Sequence, residues 1–224
     1  IELSAGRHEL KLEYVDFGGR ASVKLSWQIP SCIAPVMAGH WRGEYFSNAD
    51  LTGKPLVVRD EGEGSLDLDW GLGSPESLCG VGVDNFSARW TRTLAFGEGV
   101  YQFAVAADDG VRVFIDGQLR LDSWREQMAT ESFDVWLAAG NHRIVVEYFE
   151  RWGSAALKFR WQRHPCFADV PQDRWRGEYF NNTNLSGQPT MIRDDGDGAL
   201  NFDWKLNAPA DSCGVVADEF SVRW

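Results

Sequence analysis

Asp108 and Asp109 stand side by side at the end of an alternating apolar run and are followed by Gly110. Two adjacent carboxylates repel unless a cation lies between them or both face water. Calcium suits such a pair, being a hard ion that takes about 6 to 8 oxygen ligands at about 2.3–2.6 Å. The competing reading is a strand-end turn in which either carboxylate caps backbone amides ahead of Gly110, without metal. Catalysis is a poorer fit. The two carboxyl groups of a retaining glycosidase sit about 5–5.5 Å apart, and neighbours on one turn seldom face each other that way. The sequence also lacks a G-x-S-x-G elbow, an H-E-x-x-H pair, a P-loop and a plausible Cys–His pair, so it reads as non-enzymatic.

The elements that must position the pair read as strands. In "VYQFAVAADDGVRVFIDGQLRLDSW", Tyr101, Phe103 and Val105 alternate with smaller or polar residues, and Val111, Val113 and Ile115 alternate again. That is the period of half-buried strands. Asp116-Gly117 supplies the positive φ values of a tight hairpin turn. "HRIVVEYFE" and "SAALKFRWQ" add two further strands, and no long window has convincing helical spacing. The fold class expected is all-β, an antiparallel β-sandwich.

An internal repeat organises the chain. "WRGEYFSNADLTGKP" at Trp41 returns as "WRGEYFNNTNLSGQP" at Trp175, and the same offset of 134 carries residues 1–90 onto 135–224 without a gap and with about 40 identities. The phase gives the expected organisation: 1–28 is the C-terminal part of one copy, 29–40 a linker, 41–162 a complete copy, 163–174 a second linker and 175–224 the N-terminal part of a third. Segment 91–134 occurs once. Opening on Ile1 without an initiator Met, the chain reads as a piece of something longer.

Composition narrows the partners. With 22 basic and 33 acidic residues the net charge is -11, which repels nucleic acid and anionic lipid. No run approaches the ~18 apolar residues of a membrane-spanning helix. Cys32 and Cys79 are 47 apart, as are Cys166 and Cys213. Zinc-type C-x-x-C spacing is absent, so one disulfide per copy in an oxidising compartment is preferred over buried free thiols.

The runs "WRGEYF", "LDLDWG", "DNFSARWTRTLAF", "YQFAVAADDGVRVFIDGQLRLDSW" and "AGNHRIVVEYFERWGSAALKFRW" together resemble the protective antigen fourteen (PA-fourteen) domain family, over all of 41–162 and parts of both flanks. The resemblance implies a β-sandwich of the kind found in adhesins, glycosidases, toxins and bacterial surface proteins. It also implies carbohydrate binding, in which an Asp-Asp pair joined by a cis peptide chelates calcium that also ligates sugar hydroxyls. Asp108 and Asp109 match that pair, with Gly110 beside them. A second loop should complete the site, here Glu150-Arg151-Trp152-Gly153-Ser154. It lacks the Asn that such loops carry in sugar binders. Trp152 could stack on a sugar, but the first partial copy has Gly18 at that position, which makes core or interface packing an equal alternative.

Weaker signals are read as structural. "RDEGEG" at Arg59 and "RDDGDG" at Arg193 are solvated acidic turns, since Ala199 and Leu206 break an EF-hand pattern. His8 and His142 precede strands with no second ligand nearby. Asn85, Asn181 and Asn184 begin glycosylation-like triplets that the other copies do not share. Trp41, Trp70, Trp90 and Trp161 are expected in the core. Two functions stay open. One is an extracellular, calcium-dependent glycan-binding or adhesive module in a tandem-repeat surface protein, with glycan and neighbouring copies as partners. The other is a purely structural repeat of a stalk, fibre or sheath.

Overall fold

The computed structural model describes residues 8–26 and 31–224. The expected first partial copy, 1–28, and the linker 29–40 therefore lie in part outside the described residues. Strands β1 (Arg42–Phe46), β2 (Val57–Asp60), β3 (Leu66–Gly71), β4 (Phe86–Phe96), β5 (Gly99–Asp108), β6 (Gly110–Ile115), β7 (Gln118–Ser123), β8 (Ala129–Leu137), β9 (Gly140–Glu150) and β10 (Ala155–Arg163) cover the complete copy. They form a six-stranded sheet of order β2-β1-β4-β9-β6-β7 and a four-stranded sheet of order β3-β10-β5-β8. Strands β11 (Arg176–Phe180), β12 (Met191–Asp194) and β13 (Ser221–Arg223) make a third sheet of order β12-β11-β13. Every pairing with a described register is antiparallel.

Contacts divide the chain into two compact units, one of residues up to Leu94 with Val105–Glu131 and His142–Phe159, the other of Ala95–Ala104, Ser132–Asn141 and Arg160–Trp224. In the first, the alternation of β5, β6 and β9 turns Val105, Val111, Val113, Ile144 and Val146 inward, each at most 2% exposed. Edge-on aromatic contacts join its two layers: Tyr45 meets Trp70 with ring centroids 6.1 Å apart, and Trp41 meets Phe159 at 5.9 Å. Such pairs add about 0.5–1.5 kcal/mol beyond burial. The β6–β7 hairpin turns at Asp116 (φ 51°) and Gly117 (φ 78°), as the sequence leads one to expect. His142 Nδ1 lies 2.6 Å from Asp116 Oδ2 and the Arg143 amide donates to Asp116 Oδ1 at 2.9 Å, so this histidine steadies the turn.

Three expectations need correction or completion. Trp41 and Trp90 are fully buried, but Trp70 and Trp161 are only half-buried. The acidic turns are not simply solvated. Glu61 is half-buried beside Tyr45 and Arg59, with Arg59 Nε 2.9 Å from Glu61 Oε1 and the guanidinium 4.8 Å from the Tyr45 ring. Tyr179, Arg193 and Asp195 repeat that arrangement. Finally, residues 8–26 contain no strand and are exposed throughout, although their sequence follows that of β9 and β10.

The second unit has a small core of Cys166, Phe167, Tyr179, Met191, Ile192 and Val215, against which Val100 and Trp136 pack. Arg163 gathers its linker: the guanidinium donates to the carbonyls of Phe167 at 3.0 Å and Glu98 at 2.8 Å and pairs with Asp169 at 2.7 Å. Both cysteine pairs are bonded, Cys32 to Cys79 and Cys166 to Cys213, leaving no free thiol.

Candidate functional site

Strand β5 ends on Asp108 and β6 begins on Gly110, so the paired carboxylates occupy the corner where the chain passes from the smaller sheet to the larger. The peptide between them is cis. Gly110 lies opposite Phe149 of β9, and a Cβ there would run into the Phe149 ring. Only glycine lets the corner close against β9.

The second loop arrives where the sequence places it. The Arg151 amide donates to Asp109 Oδ2 at 2.9 Å, and Asp109 is only 7% exposed. A third segment, not singled out for this site from sequence, completes the corner: the Gly153 amide donates to Asp84 Oδ1 at 3.1 Å and the Asn85 amide to the Arg151 carbonyl at 3.2 Å. Trp152 at the loop tip is 69% exposed, which removes the core-packing reading of it.

Glu150 is the unusual member. It is fully buried at the end of β9, and the Tyr148 hydroxyl, with one proton to donate, lies between its Oε2, at 3.1 Å, and the Asp108 carbonyl, while Glu150 Oε1 has no hydrogen-bond partner. Burial, then the Asp109 charge and the more distant Asp108 and Asp84, push its carboxyl up to about 7 against the hydrogen bond from Tyr148. Burial and Asp109 also raise the Asp108 carboxyl. Burial and Glu150 raise the Tyr148 phenol far above its ordinary value, so it stays a donor. Three carboxyls thus crowd one corner, and a cation there would relieve their mutual repulsion. Hard carboxylate and carbonyl oxygens fit calcium in kind. Among the described residues, however, no three histidine, cysteine, aspartate or glutamate side chains converge to hold a metal. A cation held by Asp108 and Asp109 would draw its remaining ligands from backbone carbonyls and water.

Beside Arg151 a shallow pocket of about 380 Å³ is lined by Asp50, Trp124, Glu126 and Phe149 among others. Arg151 Nε lies 3.3 Å from Glu126 Oε1, and the Trp124 ring is 4.8 Å from Phe149 and carries the Arg112 guanidinium at 4.0 Å. Trp124 and Glu126 belong to the segment that occurs once in the chain, so comparison of copies gave no signal for them. Asp84 did recur, within "DNFSARW" and "DEFSVRW", but nothing in sequence placed it beside Gly153.

An antiparallel β-sandwich with a cis Asp-Asp corner at one edge defines a class of small β-domain in which loops carry the chemistry. The PA14 domain pattern matches residues 37–173, and the chain belongs to that family. Its sequence is 34% identical over 204 residues to "Anti-sigma-I factor RsgI3" of Acetivibrio thermocellus, an alignment that takes in 82% of this chain but only 30% of that protein. Two solved structures are also similar. An "anti-sigma factor domain-containing protein" is 30% identical with a TM-score of 0.50, covering 76% of this chain and 63% of that one. A second, from Clostridium clariflavum, is 28% identical with a TM-score of 0.50, covering 83% and 68%.

Proposed function

We propose that residues 41–162 form an extracellular, calcium-dependent glycan-binding module of a tandem-repeat surface protein. The observation that carries this reading is Glu150, fully buried with one free carboxylate oxygen beside the Asp108–Asp109 pair. Asp108 and the unused Oδ1 of Asp109 would hold the ion, and Glu150 would supply further negative charge behind them. Calcium bound there offsets the mutual repulsion and offers open positions to sugar hydroxyls. Trp152, exposed at the rim, presents a flat apolar face of the sort that stacks on a pyranose, and Arg151 with Glu126 supplies polar groups beside it. No catalytic role is assigned to this segment. The two disulfides support an oxidising compartment, and among the described residues no helix is long and apolar enough to cross a membrane.

A glycan array probed with and without a chelator tests the reading, together with melting in millimolar calcium. Calcium-dependent binding to a defined sugar class, lost in Asp109→Asn, is the expected result. No binding and no calcium-dependent rise in melting temperature would show the corner to be a capped turn and favour a structural repeat. The likeness to proteins with anti-sigma factor domains favours a second reading of the same site. There, glycan recognition would serve as the input of a membrane-associated regulatory protein rather than adhesion.

A further inference from the structure

The six-stranded sheet carries a second concave surface on the face turned away from its core. Along β9, Ile144, Val146 and Tyr148 point inward, so Arg143, Val145 and Glu147 point the other way, because successive side chains of a strand alternate. Val145 and Glu147 are nonetheless only 6% and 7% exposed. Long side chains of the neighbouring strands flank them. Phe114 of β6 lies opposite Val145 and Arg112 opposite Glu147, while on the other flank Arg42 and Glu44 of β1 pair with Thr91 and Arg89 of β4. Between these strands lies an open pocket of about 460 Å³, with Val145 and Phe114 as its apolar lining, reaching Gly117 of the hairpin turn.

The charge of this pocket runs against that of the chain. Glu147 accepts from Arg89 at 2.8 Å and from Arg112 at 2.8 Å, and Glu44 accepts from Arg42 at 3.1 Å. Arg143 is exposed, and among the described residues its guanidinium pairs with no carboxylate; Asp116 nearby is taken up by His142 and by the Arg143 amide. Four guanidiniums thus meet two carboxylates, in a chain of net charge -11. A surplus of donors shows also in Arg112, whose Nε is buried without a hydrogen-bond partner. The chain as a whole repels polyanions, so any that bind must be held by these side chains.

We propose that this pocket binds an acidic residue of a polysaccharide, with Arg42 and Arg143 holding its carboxylate or sulfate and Phe114 and Val145 receiving the apolar face of its ring. Guanidinium forks match such oxyanions with paired hydrogen bonds. Thr91 adds a hydroxyl at the side of the pocket. An acidic peptide fits less well. The pocket lies over β1, β4, β9 and β6, none of which is an edge strand, so a peptide could add no strand there and its main-chain groups would go unpaired. A sugar ring keeps its hydroxyls at its rim, where the arginines and water reach them. Asp109 precedes β6 and Gly117 follows it, so this pocket and the Asp108–Asp109 corner lie at opposite ends of that strand. The second site therefore stands or falls independently of calcium.

Calorimetry of the whole chain in chelator tests the proposal, with alginate as the carboxylate probe, dextran sulfate as the sulfate probe, dextran as the uncharged control and polyglutamate as an acidic peptide. The expected result is binding of alginate, of dextran sulfate or of both, which identifies the anion, and no comparable binding of dextran or polyglutamate. Arg143→Ala and Arg42→Ala change exposed side chains and should each weaken binding about fivefold. Arg160→Ala, at an exposed position of β10 outside the pocket, should leave it unchanged. Failure of both acidic polysaccharides to bind overturns the proposal. So does binding of polyglutamate or dextran to the same degree, indifference to both pocket substitutions, or equal weakening by Arg160→Ala.

Discussion

The segments "LDLDWG" (66–71) and "LNFDWK" (200–205) differ little in sequence, yet the first is strand β3 and the second has no strand from 200 to 204. What separates them is a partner: β3 is paired by β10, whereas the described pairings of residues 175–224 do not include 200–204. The mirror case is 8–26, exposed and without a strand, against 142–160, which contributes to β9 and β10. Strand propensity on a half-buried surface is mostly a statement about neighbours. In residues 41–162 the sheet is thus closed by β9 and β10, which come late in the sequence.

The comparison breaks most visibly at two tryptophans. Trp41 and Trp175 make the same hydrogen bond, Nε1 donating at 2.8 Å to the carbonyls of Gly64 and Gly198, but Trp41 is fully buried and Trp175 is 42% exposed. Trp41→Ala should cost about 3–5 kcal/mol by chemical denaturation and Trp175→Ala about 1 kcal/mol. Equal costs would mean that the third copy's face is covered in solution.

Next in size are the disulfides. Each closes a loop of 47 residues, worth about 3–4 kcal/mol in the chain-entropy account. Since the core around Tyr179 is small, removing Cys166–Cys213 should abolish amide protection of β11 and β12. Removing Cys32–Cys79 should leave β1 and β2 protected. Hydrogen exchange of the two double Cys→Ser variants reads this directly.

The corner is built outside the stretch that residues 175–224 match. Glu150→Gln should raise the stability of the calcium-free protein by about 1 kcal/mol, by relieving a buried and incompletely paired carboxylate. The same change should reduce any gain from calcium. A stability loss in chelator would show that the carboxylate is satisfied.

The smallest effect concerns acid. The Asp60 carboxyl is held below its ordinary value by the amides of Met37 at 3.0 Å and Gly62 at 2.8 Å, helped by His40. A depressed carboxylate contributes stability above its unfolded pKa and loses it as pH falls through the folded one. Asp60→Asn should therefore lower the melting temperature slightly at neutral pH, where the contribution is present, and flatten the acid limb so that the two proteins converge at low pH.

Alternation in β5 and β6 and the Asp116-Gly117 turn were legible because each is a local pattern, and the cysteine pairs because the same 47-residue spacing occurs twice. The corner was legible where like charges adjoin, at Asp108 and Asp109. Glu150 stood in the expected loop, but its burial arises from β9 packing against Tyr148, which sequence does not display. Trp124 and Asp84 reach the site only through pairing at long separation. The fate of 8–26 was unreadable for a different reason: its pattern specifies strands, and strands need a neighbour.

The disulfides bear on what happens when such a chain is pulled. Cys32 is hydrogen-bonded to β2, its carbonyl accepting from the Val58 amide at 2.7 Å, and Ile33 runs parallel to that strand. Tension entering along this segment would shear the short parallel bridge and then meet a covalent bond to Cys79. The 47 residues of separation are thereby withheld from extension, about 160 Å of contour per copy. Reducing conditions would release that length. With the bond intact, the entry segment at Cys32 can give way without unravelling the sheet behind it.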